Sequence, residues 1–347
     1  MVTQLRKMVI LKPLVSILIP AFNAEKWIAD TLRSAIRQTW QAKEIIVVDD
    51  GSTDRTLAIA RQFESHGVCV VSQKNQGAAA ARNRAFSVSQ GDYIQWLDAD
   101  DLLAPDKITK QIETLDQCRS ERTLLSCPWG KFMYRYNQAA FTPTSLWHDL
   151  SPVEWLLRKM AENVYMQTAT WLVSRKLTEA AGPWDTRLLG DDDGEYFCRV
   201  LLASDGIRFV PEAKVYYRTS GFNSLSYVGW SDKKLEAQWL SMKFHIGYLR
   251  SLEDSARVRD ACVKYLQNWL IFFYPQRLDI VRQAEQTAKD LGGRLEVPRL
   301  SWKYAWIRLC LGDALASRAR LILLQKKWSL ARFWDKVLYH IYSAPIQ

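Results

Sequence analysis

Apolar runs and helix-spaced segments alternate along the first hundred residues. Leu14 to Ile19 is almost continuously apolar and is stopped by Pro20, the pattern of a strand covered on both faces. In Ala24 to Ile36, Trp27, Ile28, Leu32, Ala35 and Ile36 recur at helical spacing, and Asn23 stands where a cap is wanted. Glu44 to Asp49 predicts a second buried strand, followed by the Gly51-Ser52-Thr53 turn and a helix to about Ser65, capped by Ser52 or Thr53. Val68 to Ser72 predicts a third strand, Ala78 to Val88 a helix and Tyr93 to Leu97 a fourth strand. This alternation specifies a Rossmann-like α/β unit with a mainly parallel central sheet and flanking helices.

The remainder is less regular. A helix is expected from Pro105 to about Gln117, aromatic strand-like sequence from 122 to 150, and a strand from Gln167 to Val173. The turn Gly182-Pro183-Trp184-Asp185 precedes an acidic stretch, Asp191-Asp192-Asp193-Gly194-Glu195, which opens a helix carrying Arg199. Ile207 to Pro211 and Lys214 to Arg218 read as the last strands, and Asn223 to Ser226 as a polar loop. Helical spacing then runs through Leu235–Leu252, Arg257–Phe273, Leu278–Leu291 and from Trp302 onward. The division is an α/β region over 1–230 and a C-terminal helical extension over 231–347.

In parallel sheets, ligands sit beyond the carboxyl ends of the strands. That rule gathers Asn23, Asp49-Asp50, Gln73-Lys74-Asn75 and Asp98-Ala99-Asp100 on one rim. Paired carboxylates at a chain turn suit a hard cation such as Mg²⁺ or Mn²⁺, which completes its shell with water and phosphate oxygens. Gly77 permits close backbone approach, and Arg82 one turn later could answer a phosphate. Among the downstream acids, one could serve as a base toward a hydroxyl. Taken alone, Asp98 to Asp101 reads as an acidic turn before it reads as a metal site, and Asn23 and Arg82 could simply cap and brace helices.

Composition narrows the classes. With 48% apolar residues and 15 Trp, the 347-residue chain has ample material for a core. No stretch without Asp, Glu, Lys or Arg exceeds 13 residues, below the roughly 20 that a membrane-spanning helix needs. Six cysteines without C-x-x-C spacing fit free thiols in a reducing cytoplasm. Of the net charge of +10, residues 298–347 carry +7, from nine Lys or Arg against two Asp. Trp302, Trp306, Trp328 and Trp334 interleave with those charges, a pattern of peripheral membrane contact at the inner face of the cell membrane rather than of nucleic-acid binding. A helical pair packed on the body or on a partner subunit would have the same pattern.

With these residues in place, the chain resembles the family 2 glycosyltransferases of the GT-A fold, of the non-processive type. The resemblance rests on Val15–Asn23, Ile45–Asp54, Asn75-Gln76-Gly77, Ala81-Arg82-Asn83, Gly91–Ile94, Leu97–Asp101 and the Asp192-Asp193 pair six residues before Arg199. It covers about residues 14–226. It implies that Pro20, Phe22 and Asn23 line a nucleotide pocket and that Asp50, with Asp49 nearby, meets the uracil edge of a UDP-sugar. Asp98 and Asp100 would form the DxD motif, with Asp100 on the metal and Asp193 as the general base. Asp192 stands where a Glu is usual, which leaves the base open between Asp192 and Asp193. Asp101 would cap or brace the next helix. The implied activity is inverting, metal-dependent transfer of one sugar to a hydroxyl of a glycan or lipid-linked glycan. A nucleotidyltransferase and a non-catalytic sugar- or membrane-binding scaffold are the rival readings.

Overall fold

The structure, a computed structural model, describes residues 12–115, 117–118, 120–219, 231–297, 323, 326 and 328–342. In chain order the elements are β1 (Val15–Ala21), α1 (Ile28–Ile36), β2 (Lys43–Asp49), α2 (Thr56–Arg61), β3 (Val68–Ser72), α3 (Ala78–Val88) and β4 (Tyr93–Trp96). There follow β5 (Leu102–Leu103), α4 (Lys107–Leu115), β6 (Thr123–Ser126), β7 (Trp129–Phe132), β8 (Ala140–Phe141), α5 (Pro152–Glu162) and β9 (Val173–Ser174). The last are α6 (Arg175–Ala181), α7 (Asp192–Ala203), β10 (Gly206–Phe209), β11 (Val215–Arg218), α8 (Asp232–Leu252), α9 (Ala256–Phe273) and α10 (Leu278–Asp290). Residues 328–342 are also helical.

The central sheet has the order β3-β2-β1-β4-β9. Its first four strands are parallel and β9 is antiparallel to β4. Every residue of β1 is buried, as are the last five of β2, so both faces are covered and the near-continuous apolar runs are accounted for. Ile28, Leu32 and Ala35 of α1 are fully buried, and burial of each large side chain contributes roughly 1.5–3 kcal/mol. A second sheet, β5-β11-β7-β8, stands beside the first, and its β5 follows directly on the Asp98–Asp101 turn. Strands β6 and β10 form a separate parallel pair. Helix α8 packs on α7 and α9 packs on α5, so one apolar core runs from β1 to Leu291.

Several sequence expectations shift locally. Asn23 does not cap α1, which begins only at Ile28 with Trp27 at its N-cap. Asn23 has a left-handed backbone (φ 49°), and its side-chain oxygen accepts instead from the Thr53 amide at 2.9 Å. Neither Ser52 nor Thr53 caps α2, because Arg55 occupies that position and Ser52 Oγ takes the Asn23 amide at 3.0 Å. Helix α4 is shorter than expected at both ends. The strand expected over 167–173 is a 3-10 turn, Thr168–Thr170, followed by the two-residue β9. Gln167 causes this: its side chain caps the Ala169 amide at 2.6 Å and its carbonyl takes the Thr170 hydroxyl at 2.6 Å, satisfying the backbone locally instead of across a sheet. The polar loop at 223–226, and most of the segment from Trp302 onward, lie outside the described residues.

Candidate active site

The carboxyl ends of β1, β2, β3 and β4 do form one rim. At the end of β1, Pro20 is buried while Phe22 and Asn23 are exposed, Phe22 by 49%. An aromatic ring open to solvent at a strand end is available to a ligand. Asp49 and Asp50, at the end of β2, are both buried. The Asp50 carboxylate is well occupied, accepting from Gln73 Nε2 at 2.8 Å, the Gln76 amide at 2.9 Å and the Gly77 amide at 2.8 Å. It thereby shapes the loop from β3 into α3, where Gly77 takes φ 92° and Asn75 lies exposed. Asp49 Oδ2 accepts from the Ser52 amide at 3.2 Å, whereas its Oδ1 is buried with no partner among the described residues. An orphaned buried acceptor is costly, and here it could receive an N–H from a bound base.

Beyond β4 the turn separates its three acids by environment. Asp98 and Asp100 are partly exposed and Asp101 is fully buried. Asp101 Oδ1 accepts from the Arg218 amide at 2.7 Å and its Oδ2 from Gln167 Nε2. It therefore braces β11 and the 168–170 turn, not the following helix as expected. Burial, then the charges of Asp100 and Asp98, push its pKa well above the usual carboxylate range. Arg218 is packed between the Trp27 and Phe132 rings, 4.2 and 4.5 Å from their centroids, and its Nε donates to the Asp100 carbonyl at 2.8 Å. The turn is thus held through the Asp101 carboxylate and the Asp100 carbonyl, with the Asp98 and Asp100 side chains partly exposed.

Among the described residues no three His, Cys, Asp or Glu side chains converge in a metal cage. The donor set fits a cation that takes few protein ligands and fills its shell with water and diphosphate, as Mg²⁺ and Mn²⁺ do. Asp98 and Asp100 are the residues able to hold it.

Arg82 does not face open solvent. It is buried, with Nη2 2.8 Å from Asp98 Oδ1 and Nη1 2.6 Å from Asp192 Oδ2, and its guanidinium lies 4.3 Å above the Trp184 ring. Burial works against its charge, but Asp192 and Asp98 together raise its pKa, so it is cationic. The guanidinium joins two acids that are 94 residues apart in sequence, one at the end of β4 and one at the start of α7. Neighbouring Asn83 exchanges hydrogen bonds with the Trp184 backbone at 2.9 and 2.8 Å, fastening the same turn to α3.

Asp193 Oδ2 accepts from the Thr168 hydroxyl at 3.2 Å. Burial, then Asp192 and Asp191, push its pKa up to about 7, against the pull of Arg82. A carboxylate so poised suits proton abstraction near neutral pH. Its orientation depends on Asp191, which adopts a left-handed backbone (φ 54°) and accepts from Ser241 Oγ at 2.6 Å and Gln238 Nε2 at 3.2 Å, both on α8. Gly194 is required beneath it, since a Cβ there would lie 2.0 Å from Asp191 Oδ1. One turn on, Glu195 accepts from Tyr248 of α8 at 2.7 Å and pairs with Arg199 through two contacts of 2.8 Å. Sequence reasoning did not anticipate Thr168, Gln167, Arg218 or Ser241. Only the polar run Gln167-Thr168-Ala169-Thr170, inside a buried stretch, carried a signal.

Residues 16–160 match the model of glycosyl transferase family 2. Over that region, less than half of its length, the chain is similar to that family. An uncharacterized glycosyltransferase of Rickettsia typhi is 25% identical over 263 residues, spanning 75% of this chain and 80% of that relative. The UDP-Glc:α-D-GlcNAc-diphosphoundecaprenol β-1,3-glucosyltransferase WfaP of Escherichia coli is 41% identical over 104 residues, which are 30% of this chain and 41% of WfaP. The crystal structure of S. aureus TarS 1–349 in complex with UDP-GlcNAc aligns with a TM-score of 0.63 at 19% identity, covering 80% of each chain. The fold is GT-A, as the sequence resemblance implied. The family match and the names of these relatives support a transferase. The motifs that carried the resemblance have separate structural tasks: Asp49 and Asp50 shape the first half of the rim, and Arg82 and Asn83 fasten the second.

Proposed function

We propose that this family 2 glycosyltransferase moves a single sugar from a UDP-sugar to an acceptor hydroxyl with inversion, using Asp193 as base. The observation that carries the reading is the Arg82 bridge, which joins the cation-binding end of the rim to the helix bearing the candidate base. Phe22, Asn23 and Asn75 line the nucleotide pocket, Pro20 forms its floor, and the unpartnered Asp49 Oδ1 accepts from the uracil edge, with Asp50 fixing the loop around it. A metal ion bound by Asp98 and Asp100 would neutralise charge on the departing diphosphate. Asp193 receives the proton of the acceptor hydroxyl as that oxygen attacks the anomeric carbon from the face opposite the diphosphate. Asp192 is committed to Arg82, which favours Asp193 over Asp192 as the base. Thr168 holds the Asp193 carboxylate in place, and positioning of both substrates supplies much of the acceleration.

The acceptor we infer is a glycan or lipid-linked glycan, in keeping with the acceptor in the name of WfaP. Exposed Tyr165, whose ring is 5.2 Å from that of Trp129, is available to stack on a sugar. In this reading residues 1–230 are the catalytic domain, and the C-terminal region 231–347 buttresses it through α8 and contacts the inner face of the membrane through 298–347. No helix among the described residues is long and apolar enough to cross a membrane. The test is transfer from a panel of UDP-sugars with Mn²⁺ or Mg²⁺. Asp193→Asn should lower kcat by ~10³-fold, within the range for loss of a general base, and Asp100→Ala should abolish the metal requirement along with transfer. Undiminished transfer by both variants overturns the assignment.

A further inference from the structure

The helix at 328–342 is amphipathic in the inverse sense. Its polar side faces the protein: Asp335 pairs with Arg135 Nε at 2.7 Å and accepts the Tyr134 amide at 2.9 Å. Arg332 lies 5.6 Å from the Tyr134 ring centroid, and Tyr339 packs 6.1 Å from the same ring. Its apolar side faces outward, with Leu330, Phe333, Trp334 and Ile341 all more than half exposed, at 61%, 58%, 57% and 65%. These four positions fall on one stripe at the i, i+3, i+4 and i+11 spacing of a helix. A helix folded onto its own protein would present the opposite face.

We propose that this outward face is the surface by which the enzyme lies on an anionic bilayer. Three observations favour a bilayer over other occupants. The stripe combines Trp and Phe with aliphatic residues, the composition of interfacial helices. Lys326 and Lys336 flank it, within a fifty-residue stretch of net charge +7, complementary to anionic headgroups. The inner face of the helix is linked through a short series of side chains to the turn that presents the proposed cation-binding acids. Tyr134 packs 5.4 Å from the Trp27 ring, Arg218 lies 4.2 Å from the centroid of that ring, and Arg218 holds the Asp100 carbonyl at 2.8 Å. Docking this helix on a membrane therefore brings the donor site close to the headgroup layer, where a lipid-linked acceptor carries its sugar. The inference deepens the lipid-linked-acceptor reading and rests on it for its purpose, though not for the surface itself.

The experiment is co-sedimentation of the full chain with vesicles of phosphatidylcholine, with and without phosphatidylglycerol, for wild type and F333D/W334D. Wild type should pellet with the phosphatidylglycerol vesicles and lose that binding at high salt, and the double variant should bind about tenfold less or weaker. The variant should keep the wild-type melting temperature and its turnover of a UDP-sugar on a soluble acceptor. For wild type alone, brominated lipid should quench tryptophan fluorescence, and Trp334→Phe should reduce that quenching, a readout that does not depend on the double variant folding. Equal vesicle binding by both proteins overturns the proposal. So does a wild-type dimer that F333D/W334D converts to monomer without vesicle binding by either, which would assign the face to a second copy. A fall in melting temperature without loss of vesicle binding would assign it to this chain's own packing. If neither protein turns over any UDP-sugar while the vesicle result holds, the proposed function fails and the surface stands.

Discussion

The two acidic clusters of this glycosyltransferase are held in place by different means. Asp98 to Asp101 follow directly on β4, so a buried strand delivers them to the rim, and fully buried Asp101 anchors the turn from below. Asp191 to Asp193 open a helix whose orientation no adjoining strand dictates. They are positioned from the side, by Ser241 and Gln238 of α8 on Asp191 and by Arg82 on Asp192. The first cluster is placed by local chain geometry and the second by tertiary contacts. If Asp193 is the base, α8 would help to position it, although that helix lies beyond the residues that match the family model.

Arg82 is where the two clusters meet, so its removal should affect both. Arg82→Met leaves Asp98 and Asp192 without their shared cation and should destabilise the fold by about 3–5 kcal/mol, read as a lower urea midpoint. In that variant metal-dependent UDP binding and transfer should fall together. Loss of only one would mean the clusters are independent.

The pH profile addresses the second cluster alone. Asp193 acts as a base only when ionised, and its proton is held up to about pH 7, so kcat/KM should rise with pH and level off above that value. The gain between pH 6 and pH 8 should be roughly tenfold. In Asp193→Asn this rise should disappear from the residual rate.

A smaller effect is expected from α8. Ser241→Ala removes the 2.6 Å hydrogen bond to the Asp191 carboxylate, worth ~2 kcal/mol for a charged acceptor. It should lower kcat several-fold through a less well ordered start of α7 while leaving the donor KM unchanged. A Ser241→Thr variant, which keeps the hydroxyl, should recover most of the rate. A donor KM that rises with kcat unchanged would place Ser241 outside the positioning of Asp193.

The contrast also explains what could be read from the sequence. Strands β1, β2 and β4, and the acids that follow them, were legible because an apolar run ending at Pro20, Asp49 or Asp98 fixes both the strand and the rim on which its polar residues must appear. The helices after Leu235 were legible from their spacing. The environment of each acid was not. Nothing local to Arg82 says that its guanidinium spans Asp98 and Asp192, because that geometry depends on Trp184 and α7 folding back over α3. Asn23 looked like a helix cap because Asn favours that role, but the Thr53 amide offers its side chain a partner across the rim. Gln167 turned an expected strand into a 3-10 turn by capping it. Asp101 looked like a brace for the next helix, yet its partners are the Arg218 amide and the Gln167 side chain, both far along the chain.

The central claim is that the two clusters divide the work, Asp100 holding the metal and diphosphate and Asp193 taking the proton. Calorimetric titration of UDP in the presence of Mn²⁺ into wild type, Asp100→Ala and Asp193→Asn tests that division most directly. The account predicts that Asp100→Ala loses metal-dependent UDP binding, whereas Asp193→Asn, inactive in transfer, binds UDP as wild type does. Wild-type UDP affinity in Asp100→Ala, or loss of UDP binding in a folded Asp193→Asn, would contradict it.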